Sequence, residues 1–481
     1  MTAAVIMWFR NDLRLADNPA LHAAAASGLP VVPLFILDDD AAGRWRAGGA
    51  SRWWLHGSLS ALTKSLAEVG SRLILARGAT RELLPRIAAE ARAEAIYFSR
   101  AYEPWASALE TDLKTDLDKS GITLKRHRGA LLFEPEALRT GQGKPFQLYT
   151  PFSRAAFAAE DPGKLLLAPR KLNTPSRWPS SEKLADWELT PTKPDWATGF
   201  SDVWTPGEDA ARNRLSNFLR SDVAEYHERR NRPDLAGTSR LSPHLHHGDI
   251  SPRQCWQRAR AIAEAHPERG KGVEVFLKEL LWREFSYHQL VQHPRMPDAP
   301  VREPFADFPW KNDAKALRSW QRGRTGYPIV DAGMRELWAT GWMHNRVRMI
   351  TGSFLVKHLL QPWQKGEAWF WDTLVDADLA NNATSWQWVT GSGVDAAPYF
   401  RIFNPQKQAE TFDPDGSYVR TWCPELAKLP APLIHAPWEA PAEILEKAGV
   451  KLGRNYPHPI VDHKEARTRA LAAFESLKQA E

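Results

Sequence analysis

The chain has 481 residues, 43% of them hydrophobic and 25% charged, with a net charge of +6, material for two or three domains with packed cores. Its two cysteines, Cys255 and Cys423, exclude a disulfide framework and thiolate zinc modules. No apolar run approaches the roughly 18 residues of a membrane span, and Met1 to Arg10 carries no cleavable signal pattern, so the expected location is cytoplasmic.

In chain order, Val5 to Trp8 is a short apolar run. An Ala-rich helical stretch from Asp17 to Ser27 follows, then a second buried-strand run, Val31 to Leu37. Helical periodicity from Ser51 to Glu68 puts Trp54, Leu55, Leu59, Leu62 and Leu66 on one stripe. Arg72 to Leu75, Ala95 to Phe98 and Ile122 to Leu124 read as strands, with helices at Arg81 to Ala91 and Pro104 to Lys119. Such alternation implies a parallel sheet covered on both faces, with ligands at the carboxyl ends of its strands. The loops Asp38-Asp39-Asp40 and Ser99 to Glu103 fall there.

From Asp161 to Pro206 repeated prolines break the pattern, which reads as a long surface linker. Beyond Gly207 the pattern is helical, clearest over Arg212 to Glu228, Pro252 to Ala265, Val273 to Leu290, Asp331 to Thr340, Met343 to Leu360 and Ala368 to Leu374. The expected organisation is an α/β domain over residues 1–130, a connector over 131–206 and an all-α domain over 207–481.

Standard motifs are mostly absent. Gly141-Gln142-Gly143-Lys144 lacks the spacing of a phosphate-binding P-loop, and no carboxylate cluster accompanies His244-Leu245-His246-His247, so no metal site is expected. Thr238-Ser239-Arg240-Leu241-Ser242, ahead of Pro243, reads either as a helix cap or as a pyrophosphate cradle. Glu279, Trp282, Arg283 and Ser286 share one helical face, and Asn345, Arg346, Arg348 and Met349 form another. Each is either a surface ion-pair face or a site wall. Asp376 to Asn382 holds two acids and two amides, hemmed in by Phe370, Trp371, Leu374, Trp386 and Trp388. Such acids, when buried, need cationic partners, which Arg283 or Arg348 would supply.

The least ordinary number is 22 Trp, against 9 Tyr, where background composition predicts about six. Ten of them fall between Trp282 and Trp388, for packing, for stacking on bases or for electron transfer.

At these residues the sequence resembles the cyclobutane pyrimidine dimer photolyases of the photolyase/cryptochrome family. The likeness runs from Trp8-Phe9-Arg10-Asn11-Asp12-Leu13-Arg14 to Pro459-Ile460-Val461-Asp462-His463-Lys464-Glu465-Ala466-Arg467. It is most specific in Gly237 to Pro243, Trp282-Arg283-Glu284-Phe285, Gly326 to Ala332, Gly341 to Met349 and Asp395 to Pro405. The resemblance implies an antenna-binding α/β domain (Rossmann-like) and a helical domain holding FAD, fully reduced when active. Tyr226, Thr238, Ser239, Arg240, Leu241 and Ser242 would hold its phosphates. Arg283, Arg348, Asp376, Ala377 and Asp378 would surround flavin and ribose, with Asn382 facing flavin N5. Electrons would run from surface Trp310 through Trp363 to Trp386. Glu279, Trp282, Asn345, Arg346, Met349 and Trp388 would receive the flipped dimer of UV-damaged DNA, with Arg230 and Gln408 meeting DNA nearby. The protein would act as a monomer.

Asn345 and Met349 stand where a (6-4) photolyase has two His, and Asn382 stands where a plant-type cryptochrome has Asp. A blue-light receptor without repair is the alternative reading. Gly48 to His56, Tyr149-Thr150-Pro151-Phe152 and Phe308-Pro309-Trp310 resemble the class III bacterial enzymes most. That implies a methenyltetrahydrofolate antenna near Asp38, Trp45, Trp53, Trp54 or Glu103, with a deazaflavin as the alternative. The Asn-Glu pair that contacts folate in the enterobacterial type is replaced by Pro104 and Trp105.

Overall fold

The computed structural model describes residues 3–159 and 161–478. Met1, Thr2 and the last three residues, which the expected domain bounds include, lie outside the described residues. Five strands form one sheet: β1 (Ala4–Phe9), β2 (Val31–Leu37), β3 (Ile74–Arg77), β4 (Ala93–Ser99) and β5 (Thr123–His127). Their order is β3-β2-β1-β4-β5, and every neighbouring pair is parallel. The period of two explains the double covering. Val5, Met7 and Phe9 of β1 enter a core with Leu59, Leu62 and Leu66, whereas Ala4, Ile6 and Trp8 enter another with Leu84, Ile87, Leu113 and Leu117. The central strands β1 and β2 are therefore buried on both faces, as their continuous apolar runs require, whereas the edge strand β5 is polar and largely exposed.

The stripe expected on the Gly49–Glu68 helix divides. Leu55, Leu59, Leu62 and Leu66 pack on the sheet, but Trp54 packs with Phe200, Trp204, Trp342 and Val375, joining the sheet domain to the helical one. The junction is also polar. Glu208 accepts from the backbone N–H of Leu15 at 2.7 Å and of Ala16 at 3.1 Å, and Arg14 donates to the Gly248 carbonyl at 3.0 Å.

The expected connector contains a helix, Tyr149–Ala158, whose Phe152 and Ala156 share a core with Leu277, Leu281 and Phe285 of the long Gly270–Gln292 helix. Further on, Leu172, Trp187 and Leu189 enter the sheet core. The helix expected over Arg212 to Glu228 is interrupted: it runs Glu208–Arg220, the chain turns, and a single turn Tyr226–Arg229 follows. The Met343 to Leu360 helix begins at Asn345 and widens from Phe354 to His358 into a π-turn. The acidic run is no simple loop. Asp378 caps a helix, Leu379–Thr390, and accepts from the backbone N–H of Asn381 at 2.9 Å.

Candidate functional site

Five segments converge on a cavity of about 530 Å³ in the helical domain. The long Gly270–Gln292 helix contributes Glu279, Trp282, Arg283 and Ser286, whose shared face now lines the cavity. Ser239, Leu241 and Ser242 enter from the segment leading into the Ser242–His247 helix. Trp342, Asn345, Arg346, Arg348 and Met349 form a third side. Asp376, Ala377, Asp378, Asn382, Trp386 and Trp388 form a fourth, and Tyr226 and Arg230 a fifth. Gly341 makes the third side possible. At φ +68 it ends the Pro328–Thr340 helix in the left-handed region, and a Cβ there would meet the Phe200 ring at 2.7 Å.

Most of the polar groups are paired, as burial demands. Asp378 faces Tyr287, whose hydroxyl donates to it, and His246 at 3.6 Å. Desolvation works to raise the Asp378 pKa, but His246, the Arg283 charge and Tyr287 overcome it and hold the carboxyl well below the usual range. Arg283 donates to the Ala130 carbonyl at 2.7 Å and lies over the Tyr287 ring at 4.9 Å. Arg348 donates to Asp376 at 2.9 Å and to the Met343 carbonyl at 2.7 Å. Asn382 donates to the Glu367 carbonyl at 3.1 Å, which fixes its amide at the cavity wall.

Towards the mouth, Arg230 and Glu279 form a 2.7 Å ion pair. Burial pushes the Glu279 pKa up, and Arg230 opposes that shift. Trp282 is held from behind by Tyr149, ring on ring. Arg346 donates to Asn231 at 2.8 Å and rests over Phe412 at 4.4 Å, on the helix that carries Gln408.

With this geometry in view, the comparisons are direct. Residues 276–476 match the FAD binding domain of DNA photolyase, and residues 5–171 match the DNA photolyase domain. The chain belongs to the photolyase/cryptochrome family. It is 50% identical over 478 residues to a deoxyribodipyrimidine photo-lyase of Agrobacterium fabrum, covering 99% of both chains. A crystal structure of a bacterial class III photolyase from Agrobacterium tumefaciens superposes with a TM-score of 0.96 at 50% identity, covering 100% of this chain and 98% of that one. Cryptochrome-1 of Arabidopsis thaliana is 39% identical, with 99% of this chain and 71% of that protein covered.

Within this photolyase/cryptochrome framework, most residues expected at the flavin and lesion sites lie together on the cavity wall. Thr238 and Arg240 do not line it. Arg240 instead adopts φ +50 and lays its guanidinium over Trp342 at 4.7 Å, bracing a wall residue from outside. Trp386 lines the cavity and presses on Gly366, where any Cβ would come within 2.1 Å of the indole. Trp386 and Trp363 are buried in one core, and Trp310 is half-buried at its edge. Trp320 belongs to this group as well, with its ring 6.2 Å from that of Trp386.

The residues named for an antenna scatter. Trp54 is fully buried, with its indole N–H donating to Asp249 at 3.1 Å, so the structure removes it from any ligand surface. Asp38 spends both oxygens locally, one on Asp40 and Ala41 and the other on the Thr80 N–H at 2.7 Å. Trp53 packs on Phe200, and Trp45 stands edge-on to Trp371 at 5.4 Å. Glu103 accepts from the Tyr102 N–H at 3.1 Å, and burial together with the nearby charge of Asp378 raises its pKa. The His cluster is spoken for: His244 sits 2.9 Å from Asp249 and His247 3.3 Å from the Val375 carbonyl. Among the described residues no group of three or more His, Cys, Asp or Glu is placed to hold a metal, and no helix is long and apolar enough to cross a membrane.

Sequence reasoning missed Tyr287, His246, Trp342 and Tyr149. Tyr287 had a signal, since it follows Glu279 and Arg283 at spacings of four on the same face. Tyr149 had only its place in the Tyr149-Thr150-Pro151-Phe152 block, which gave it no role, because that block lies in the segment read as a connector.

Proposed function

We propose that this chain is a light-driven DNA photolyase that splits cyclobutane pyrimidine dimers. The support is that one continuous cavity joins a flavin-type lining to a group suited to an extruded pyrimidine dimer: Glu279, Trp282, Asn345, Met349 and Trp388. The relative at 50% identity over the full length bears the same activity in its name.

The lining fits FAD. Asp376 Oδ1 and Thr384 Oγ1 are buried on the cavity wall without a protein partner, so the site retains acceptor and donor capacity for a polar ligand. Ser239, Leu241 and Ser242, aided by Tyr226, would hold phosphates, and Arg283, Arg348, Asp376 and Asp378 the flavin and ribose. When bound, FAD supplies one-electron chemistry driven by blue light. Asn382, whose amide donates to the Glu367 carbonyl, would face flavin N5. Trp310, Trp363 and Trp386 would relay electrons inward from the surface, since indole is the side chain best suited to oxidation.

The lesion must leave the duplex to reach this depth, and a damaged pair is the least costly to extrude. Trp282 and Trp388 would stack on it. Glu279, paired with Arg230 at 2.7 Å, would hydrogen-bond the pyrimidine edge as charge develops there. Arg230, Arg346 and Gln408 would meet the backbone with little sequence preference. A methenyltetrahydrofolate antenna, or a deazaflavin in its place, would use Asp38, Trp45, Trp53 or Glu103, and the enzyme would act as a monomer.

The test is repair of a dimer-containing oligonucleotide by the reduced holoenzyme under blue light. Loss of dimers with first-order dependence on light dose is expected. Unchanged dimer content, with flavin bound and light absorbed, would overturn the assignment and favour a receptor without repair activity.

A further inference from the structure

A second cleft, of about 420 Å³, lies away from the repair cavity and is lined by Ala314, Lys315, Arg318, Ser319, Arg322, Arg324, Pro457 and Ile460. Lys315, Arg318 and Arg322 follow one face of the Ala314–Gln321 helix, whose opposite face packs Ala316, Leu317 and Trp320 into the core. No carboxylate lines the cleft, and none of its four cationic side chains has an ion pair or hydrogen bond among the described residues. The nearby Asp313 is occupied in capping the helix through the backbone N–H groups of Lys315 and Ala316. Like charges at such spacing repel, so four of them around one concavity make a place for an anion.

The location gives that anion a use. On the inner side of the same helix, Trp320 lies with its ring 6.2 Å from that of Trp386. Trp310 precedes Ala314 by only four residues, so their Cα atoms are at most about 15 Å apart. We propose that this cleft docks a small anionic one-electron donor that re-reduces Trp310. The proposal rests on the reading of Trp310 as the outer end of the electron relay. Once an electron has passed inward along the relay, the Trp310 radical cation would take one electron from the donor and become neutral indole. With ascorbate monoanion as donor, the products are the ascorbyl radical anion and a proton released to water. Cations in the cleft raise the local concentration of such a donor and are themselves redox-inert.

The test uses holoenzyme with oxidised FAD under blue light, with ascorbate or neutral hydroquinone as donor, and the double variant Arg318→Glu/Arg322→Glu. Half-saturating ascorbate should rise about tenfold in the variant, hydroquinone dependence should not move, and the Arg318→Lys/Arg322→Lys pair should restore the ascorbate value. In the dark, tripolyphosphate should bind the native protein by calorimetry, fail to bind the charge-reversed variant and compete with ascorbate. Repair by pre-reduced enzyme should be unchanged. Equal ascorbate dependence in native and charge-reversed proteins would overturn the proposal, as would binding of single-stranded DNA but not tripolyphosphate. Trp310→Phe separates the two readings. Slowing with both donors upholds Trp310 as the outlet, and no slowing with either removes that reading and the docking role with it.

Discussion

The ring of Tyr149 lies flat on that of Trp282, with centroids 3.6 Å apart and planes 6° from parallel. Tyr149 is itself anchored at both ends. Its hydroxyl donates to the Lys278 carbonyl at 2.7 Å, and its backbone N–H donates to Asp395 at 2.8 Å. Trp282 therefore presents one indole face to the cavity in a fixed plane.

Tyr149→Ala should weaken binding of dimer-containing DNA by about three- to tenfold, the worth of one aromatic pair, while undamaged DNA binds as before. Tyr149→Phe keeps the stack and should lose less. Fluorescence anisotropy with matched damaged and undamaged duplexes measures both. An equal loss on both duplexes would mean that the stack serves the fold rather than the lesion.

Trp386→Phe should slow photoreduction of bound FAD severely and leave repair by chemically reduced enzyme nearly intact. Because the Trp320 ring also touches Trp386, Trp320→Phe is the informative companion. A partial slowing there, read by flavin absorbance under steady blue light, would show electrons leaving Trp386 in two directions.

Asp378→Ala should release flavin and lower stability by about 3–5 kcal/mol, because it strips the buried carboxylate that Tyr287 and His246 face and a cap from the Leu379–Thr390 helix. The 450-nm absorbance of purified protein and its thermal midpoint report the two effects separately. Flavin retained at full occupancy would take Asp378 out of the cofactor site.

Glu284 adds a pH dependence. It is buried and accepts from the N–H groups of Leu132 at 2.9 Å and Phe133 at 3.1 Å, and desolvation pushes its pKa up to about 7. A carboxyl raised in the folded state holds its proton longer there than in the unfolded chain. Stability is therefore highest below the ordinary value of 4.5 and falls as pH rises towards 7. Glu284→Gln should flatten that slope, recovering roughly 3 kcal/mol above pH 7 relative to the native chain. Denaturant midpoints between pH 4.5 and 8 test it, and parallel profiles would refute the assignment.

Much of this was legible in the residues alone. The alternation of β1 to β4 with helices was local, since a strand buried on both faces must be largely apolar. The Glu279, Trp282, Arg283 face was legible because helical spacing depends only on sequence separation. What remained hidden depends on contacts between distant segments. Trp54 sat on a plausible stripe, yet its partner is Asp249, some two hundred residues away. The run from Asp376 to Asn382 looked like a solvated loop or a site, and only the approach of Arg348, Tyr287 and His246 decided which. Tyr149 lay in a stretch without periodicity, and its stacking on Trp282 follows from how the connector folds back across the long helix. The Trp excess behaved the same way. Sequence established that there are 22 and where they cluster. Which of them are buried as packing, which line the cavity and which reach the surface was decided by tertiary structure, because exposure and ring orientation belong to neighbours that spacing along the chain does not name.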